Sequence, residues 1–391
     1  MNKLYTTPSN SVTQDLVCFS HLRWNFVYQR PQHLLSRFAK HFRVFFVEEP
    51  VFNDTSNNLQ VTLSEENVWI IVPNLNNKLS EEERINTQKD LLNKLFRNMQ
   101  VESYMFWYYT PMALKISDHF EPELIVYDCM DELSAFKFAP VEIKLLEAEM
   151  FQKADLIFTG GHSLFQAKKN LHNNIYPFPS SIEKEHFSLA RQISNDPPDQ
   201  HTIPHPRIGF FGVIDERMNI ELIAKIAEEK PEWHFVMIGP VIKIDPASLP
   251  RPQNIHYLGG KTYQDLPGYL SGWDLAMIPF ALNESTQFIS PTKTPEYLSA
   301  GRPVISTSIA DVVNPYGLNQ LVFIADTPEE FIKCIQTELS RKDKSKWLEK
   351  VDVFLADNSW DNTWKKMLHH IIATYNEKHI TNQKTKEQAY V

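Results

Sequence analysis

The run Ser290-Pro-Thr-Lys-Thr-Pro-Glu-Tyr-Leu-Ser-Ala-Gly-Arg-Pro-Val-Ile-Ser306 constrains this chain most, because it packs a loop, a helix and a buried strand into one short stretch. Thr294 reads as the N-cap and Pro295 as the first helical residue, where its missing N–H is no loss. Gly301 and then Pro303 end the helix, and Val304 and Ile305 open an apolar strand. A helix that starts beside the end of a sheet turns free N–H groups and the positive end of its dipole toward the loop before it. Lys293 and Glu296 would flank that point. The lysine could pair with a diphosphate, and an ionised carboxylate, which only accepts, suits two vicinal hydroxyls of a sugar. From this run alone, Glu296 could equally do no more than favour the dipole, with Lys293 a solvated cation.

A chain of 391 residues is long enough for two α/β domains with separate cores. No stretch is long and apolar enough to cross a bilayer. The polar segment Met1 to Gln14 does not read as a secretory signal, so a cytoplasmic setting is expected. Cys18, Cys129 and Cys334 are few and far apart, which fits reduced core thiols and neither a disulfide framework nor a metal site. A formal charge of −9 argues against nucleic acid as a partner. Three basic runs, Arg37 to Arg43, Lys168-Lys169 and Lys342 to Lys346, could still touch an anionic membrane surface or be plain solvated faces.

The chain begins as a strand–loop–helix–strand unit: Asp15 to Ser20, then Leu34, Leu35, Phe38, Ala39 and Phe42 at helical spacing, then Arg43 to Val47. The loop between them lies at the carboxyl end of the first strand, where open α/β sheets hold ligands. It carries His21, Arg23, Trp24, Tyr28, Arg30 and Gln32, charged forks and ring faces suited to phosphates and sugars, or else the packing residues of a tight connection. Further strands are expected at 68–72, 104–108, 124–127 and 154–159. Asp128 and Asp131 follow the third of these and are candidates for a general base, or for ordinary cap and turn residues. His162, after Gly160-Gly161, opens the next helix and reads as structural more readily than catalytic.

Residues 188–206 are polar, Pro-rich and aperiodic, and read as a linker. A second α/β pattern restarts at Arg207, with Gly212 and Arg217 after its first strand and Gly239 after its second. The expected organisation is therefore residues 1–187, the linker, residues 207–357, an amphipathic helix over 358–378 and a polar tail over 379–391.

The Glu296 helix with its Gly, Pro-Val and strand, the strand-Gly239-Pro240, His-Tyr-Leu-Gly259 and Trp-Asp-Leu-Ala-Met-Ile-Pro-Phe280 together resemble the donor domain of GT-B glycosyltransferases, especially the family-four-like group. Arg30-Pro-Gln-His33 resembles a variant among bacterial teichuronic-acid and cell-surface polysaccharide glycosyltransferases. The resemblance implies two Rossmann-like domains facing each other across a cleft, with the last helix crossing back to the first. It also implies transfer of a sugar from a nucleotide-diphosphate sugar to a carbohydrate or lipid-linked acceptor, without a metal or other cofactor. Glu296 would bind the donor ribose, Lys261 and Tyr263 the base, and Ser290, Thr292, Gly212 and Gly239 would complete the donor wall. His21, Arg23, Trp24, Arg30, Gln32 and His162 would face the acceptor or the phosphate.

The chain departs from that family at three places. Phe288 stands where a second Glu is often found, Met130 where a His is common, and Met218-Asn219 where a Lys is usual, which moves the phosphate role toward Lys293. Two other readings use the same scaffold: a nucleotide-sugar epimerase, or a binding protein that has lost catalysis. No Walker loop, H-E-x-x-H or G-x-S-x-G occurs to support other chemistries.

Overall fold

A computed structural model of the chain describes residues 15–389, with side chains as far as residue 381. The segment Met1 to Gln14, read above as no signal peptide, lies outside the described residues, as do residues 390 and 391.

The first lobe is a nine-stranded sheet of β1 (Asp15–Ser20), β2 (Arg43–Glu48), β3 (Val51–Asn53), β4 (Asn58–Leu63), β5 (Val68–Asn76), β6 (Tyr104–Tyr108), β7 (Leu124–Cys129), β8 (Leu156–Thr159) and β9 (Ile175–Pro177). The order is β3-β5-β2-β1-β6-β7-β8-β9, with β4 antiparallel on β5 and every other pair parallel. Strands buried on both faces must be apolar throughout, and side chains that alternate must then serve two cores. Val17, Phe19, Phe45 and Val47 enter one cluster while Leu16, Cys18, Val44 and Phe46 enter the other.

The second lobe holds β10 (Arg207–Phe211), β11 (His234–Ile238), β12 (Ile255–Gly259), β13 (Leu275–Ile278), β14 (Val304–Ser306) and β15 (Val322–Ile324), all parallel, in the order β12-β11-β10-β13-β14-β15. Numbered within the lobe this is 3-2-1-4-5-6, the doubly wound order whose switch point lies between β10 and β13. In the first lobe the corresponding switch lies between β1 and β6. Carboxyl ends of strands at these two switch points face the same cleft, as the residues gathered there show below.

The Pro-rich stretch read as a linker is folded onto the second lobe. Ile182, Phe187 and Ala190 already belong to that lobe's core, and buried Gln200 accepts from Trp273 Nε1 at 2.9 Å and donates to the Tyr269 carbonyl at 3.0 Å. Asp196 pairs with Arg207 at 2.6 Å. Turn-rich composition hid this order because side-chain partners, rather than a repeating backbone pattern, satisfy its polar groups.

The last helix, Trp360–Ala389, crosses back as expected: Trp360, Met367 and Ile371 pack with Leu34, Phe38 and Trp107 of the first lobe. Tyr375 donates to Glu123 at 2.7 Å, and Lys378 meets Asp155 at 2.7 Å. The helix does not stop at 378. Residues 379–389 contain no Gly or Pro, so nothing breaks the helix where composition alone suggested a tail. Trp360 is 1% exposed, and its ring stacks on His33 with centroids 4.7 Å apart. Trp360→Ala should destabilise the protein by about 3–5 kcal/mol, read as a lower urea midpoint; a loss below about 1 kcal/mol would show that the crossing helix is not anchored there.

Candidate functional site

Between the lobes lies a cavity of about 580 Å³, within the range of small-molecule sites. Its second-lobe wall is built on the carboxyl ends of β10 and β11 and on the helix Lys293–Ser299. Tyr297 docks that helix, its hydroxyl oxygen accepting from Phe211 N–H at 2.9 Å at the end of β10. Gly301, at φ +72°, ends the helix: its N–H donates to the Leu298 carbonyl and that of Arg302 to Tyr297, at 2.9 Å each. The helix starts two residues earlier than the sequence suggested. Thr292 precedes it without a side-chain cap, so Thr294 and Pro295 sit inside the first turn and the Thr294 hydroxyl is buried without a partner.

That earlier start places Lys293 itself in the first turn, folded over Gly212. A Cβ on Gly212, which has φ +136°, would lie 2.7 Å from Lys293 Nζ, so only glycine leaves room for the ammonium. A Cβ on Gly239, at φ +142°, would overlap the Gly212 carbonyl oxygen. The Lys293 ammonium lies 5.8 Å from the Phe210 ring centre and has no hydrogen-bond partner among the described residues. Glu296, 6% exposed, has an Oε2 with no partner either. Burial pushes the lysine down and the carboxyl up from their ordinary values, and the charge of each opposes the other's shift.

Arg217 lines the same wall, its guanidinium fork held by Asp215 at 2.7–3.1 Å. Ser290, Thr292 and Lys261 also line the cavity, Lys261 while paired with Asp199 at 2.5 Å. Tyr263 bridges the lobes: its ring stacks on His186 at 4.5 Å and meets Tyr28 of the first lobe at 5.1 Å. Its buried hydroxyl has no partner, and burial followed by the Glu296 charge raises its pKa.

The first-lobe wall brings Tyr28, Arg30, Asp131 and Gly160 to the cavity. Burial lifts the Asp131 carboxyl to about 6, against the pull of Arg217 and Arg30. Arg30 is 2% exposed and grips Asp128 through Nε at 3.0 Å and Nη2 at 2.8 Å, with Nη1 on the Phe178 carbonyl at 2.7 Å. Of the two carboxylates expected as bases, Asp131 alone lines the cavity, while Asp128 lies fully buried behind it as the counter-ion of Arg30.

Four other residues expected near the acceptor lie apart from it. Arg23 bonds Glu48 at 2.9 Å and two nearby carbonyls, and buried Trp24 packs on Phe46 at 5.1 Å. Gln32 closes the capping box of the helix Arg30–Phe38 and donates to the Trp24 carbonyl at 2.6 Å. His21 is kept neutral, its pKa pushed down to about 4 by burial. None of the four lines the cavity. Strand-end loops are rich in polar groups both for ligands and for their own closure, and composition cannot separate the two.

His162 is a contact between lobes, and its partner could not be read from sequence. Asp311 of the second lobe caps the first-lobe helix His162–Lys168, accepting from the N–H of His162 at 2.9 Å and of Ser163 at 2.8 Å. A side chain on Gly161 would strike that carboxylate. Phe288 packs against the first lobe's core, so an apolar interlobe contact stands where the family often has an acid. Across the cleft mouth, Arg217 and Lys243 approach the Phe136 ring at 5.8 Å and 5.3 Å.

Comparison with known proteins agrees with this architecture. Residues 205–341 match the family described as glycosyl transferases group 1. TuaH of Bacillus subtilis (strain 168), assigned to teichuronic acid biosynthesis as a glycosyltransferase, is 24% identical over 289 residues, covering 68% of this chain and 71% of its own. An E. coli trehalose-6-phosphate structure bound with UDP-2-fluoro glucose superposes with a TM-score of 0.66 at 10% identity, covering 91% of this chain and 98% of that one. Anabaena HepE in complex with UDP and glucose gives 0.64 at 12% identity, over 91% and 98%. Nothing among these supports the epimerase reading.

The Arg30–Asp128 pair carries a direct test. Asp128→Ala would leave a buried guanidinium unpaired and should cost about 3–5 kcal/mol in chemical denaturation; an unchanged midpoint would show that the pair does not hold the cleft floor. The fold and the second-lobe match meet in one conclusion: residues 205–341 are similar to the group 1 glycosyl transferases, and the chain is a glycosyltransferase with the two-lobe GT-B fold.

Proposed function

We propose that the enzyme moves a sugar from a nucleoside diphosphate donor, with uridine diphosphate the nucleotide, to a carbohydrate or lipid-linked acceptor during assembly of a cell-surface polysaccharide. The observation that carries this reading is the ammonium of Lys293 and the Glu296 Oε2, both without hydrogen-bond partners among the described residues, at one helix start inside the interlobe cavity. Buried polar groups without partners are costly, and a ligand that satisfies both recovers the cost. A diphosphate on Lys293 and a ribose diol on Glu296 do so with matched chemistry. TuaH and HepE, as named above, support the polysaccharide setting and the nucleotide respectively.

In this reading Lys293 and Arg217 meet the negative charge that grows on the departing diphosphate. Tyr263 and Lys261 line the place of the base, with Ser290, Thr292, Gly212 and Gly239 around the phosphates. Asp131, across the cleft, takes the proton of the acceptor hydroxyl. Arg30 sits behind it and fixes the floor. The reaction takes place in the cytoplasm, at the inner face of the membrane when the acceptor is lipid-linked. No cofactor is assigned a step. Among the described residues no cluster of His, Cys, Asp or Glu is placed to hold a metal ion, and no helix is long and apolar enough to cross a membrane.

Lys293→Ala should weaken uridine diphosphate binding about 10- to 100-fold by calorimetry, whereas unchanged affinity would remove the lysine from the donor site. Asp131→Asn should lower kcat about 10²- to 10⁴-fold with little effect on donor affinity. A base works only when deprotonated, so kcat should rise with pH through the Asp131 value of about 6 and then level off. A profile flat from pH 5 to 8 would place the base elsewhere.

A further inference from the structure

We propose that the loop and helix start over residues 137–145 form a surface that seats on a membrane carrying anionic head groups. Phe138, Val141 and Leu145 are 78%, 95% and 76% exposed, a density of bare apolar side chains found at no other short segment of the described residues. Leu318 and Val353, at 71% and 78%, stand singly, as scattered surface apolar residues ordinarily do. Phe138 also holds a left-handed backbone at φ +69°, unfavourable for a residue with a ring, and so presents that ring to solvent at a conformational cost.

The charges around these residues choose the occupant. Lys137 and Lys144 make no ion pair among the described residues, Lys137 lying 5.0 Å from the Phe138 ring centre. The neighbouring acids are engaged with other lysines: Glu142 shares Lys115 with Glu81, at 2.8 Å and 3.0 Å, and Glu132 and Glu147 share Lys168, at 2.8 Å and 2.7 Å. Two lysines without ion-pair partners among the described residues, set between three bare apolar side chains, match the head-group and acyl boundary of an anionic bilayer. A symmetric contact with a second copy would bring the same two lysines against their equivalents.

The basic runs singled out in the sequence are placed differently. Arg37 pairs with Asp361 at 2.7 Å, Arg43 with Asp15 at 2.6 Å, and Lys168 as above, while Lys344 donates to the Asp274 carbonyl at 3.4 Å. Their principal charges serve the fold. The 137–145 surface, in contrast, continues directly from Asp131 and Phe136 at the cleft mouth. It therefore deepens the proposed transfer, and rests on it, by naming where a lipid-carried acceptor would reach the cavity.

Cosedimentation with vesicles, without any sugar substrate, tests the surface. The full chain should partition into phosphatidylcholine vesicles containing roughly 30% phosphatidylglycerol at least ~10-fold better than into phosphatidylcholine alone, and less so as salt rises. The triple variant F138S/V141S/L145S and the double variant K137E/K144E should each lose at least ~10-fold of that partitioning. Uridine diphosphate affinity should be unchanged in both, which shows that they remain folded. Wild type that ignores anionic vesicles, or variants that bind them as well as wild type, would overturn the proposal. So would a wild-type dimer in ultracentrifugation that the triple variant abolishes. Partitioning in the expected pattern by a chain that does not bind uridine diphosphate would support the surface while removing the donor reading.

Discussion

A buried cation held against a glycine is the constraint on which the site depends. Lys293 occupies the space above Gly212 that any side chain would fill, and Gly212 in turn receives the close approach of Gly239. The ends of two adjacent parallel strands are thereby kept bare, so that one ammonium and one carboxylate from the next helix share a wall with backbone N–H groups. Neither group finds a hydrogen-bond partner among the described residues. The fold thus carries an unmet electrostatic demand at the place where doubly wound sheets ordinarily open.

The two lobes meet through contacts that differ in kind. Phe288 supplies an apolar contact to the first lobe's core, Asp311 a charged cap on a helix, and Tyr28 with Tyr263 a pair of rings. These contacts surround the cavity without filling it, which fits a cleft whose walls must close over a ligand and exclude water. Replacement of the expected acid by Phe288 is then intelligible physically: the position is spent on closure, and the candidate proton acceptor comes from Asp131 on the opposite wall.

Much of this was legible in the sequence for reasons of period and punctuation. Apolar runs of five or six residues marked the parallel strands, Gly301 with Pro303 marked the end of the helix Lys293–Ser299, and Trp360, Trp364, Met367 and Ile371 marked the face that crosses back. What escaped depended on partners distant in sequence. Asp128 and Asp131 are indistinguishable by spacing, and only the buried Arg30 from another element takes one and leaves the other. Asp311 caps a helix 148 residues away. The edge strands Val51–Asn53 and Asn58–Leu63 are largely exposed and lacked the apolar signal of the central ones.

A crystal structure of the chain with uridine diphosphate tests the central claim most directly. The account predicts the diphosphate within hydrogen-bond reach of Lys293 Nζ, with both ribose hydroxyls on the Glu296 carboxylate. Nucleotide bound outside the interlobe cavity, or within it with Lys293 and Glu296 still unpartnered, would contradict it.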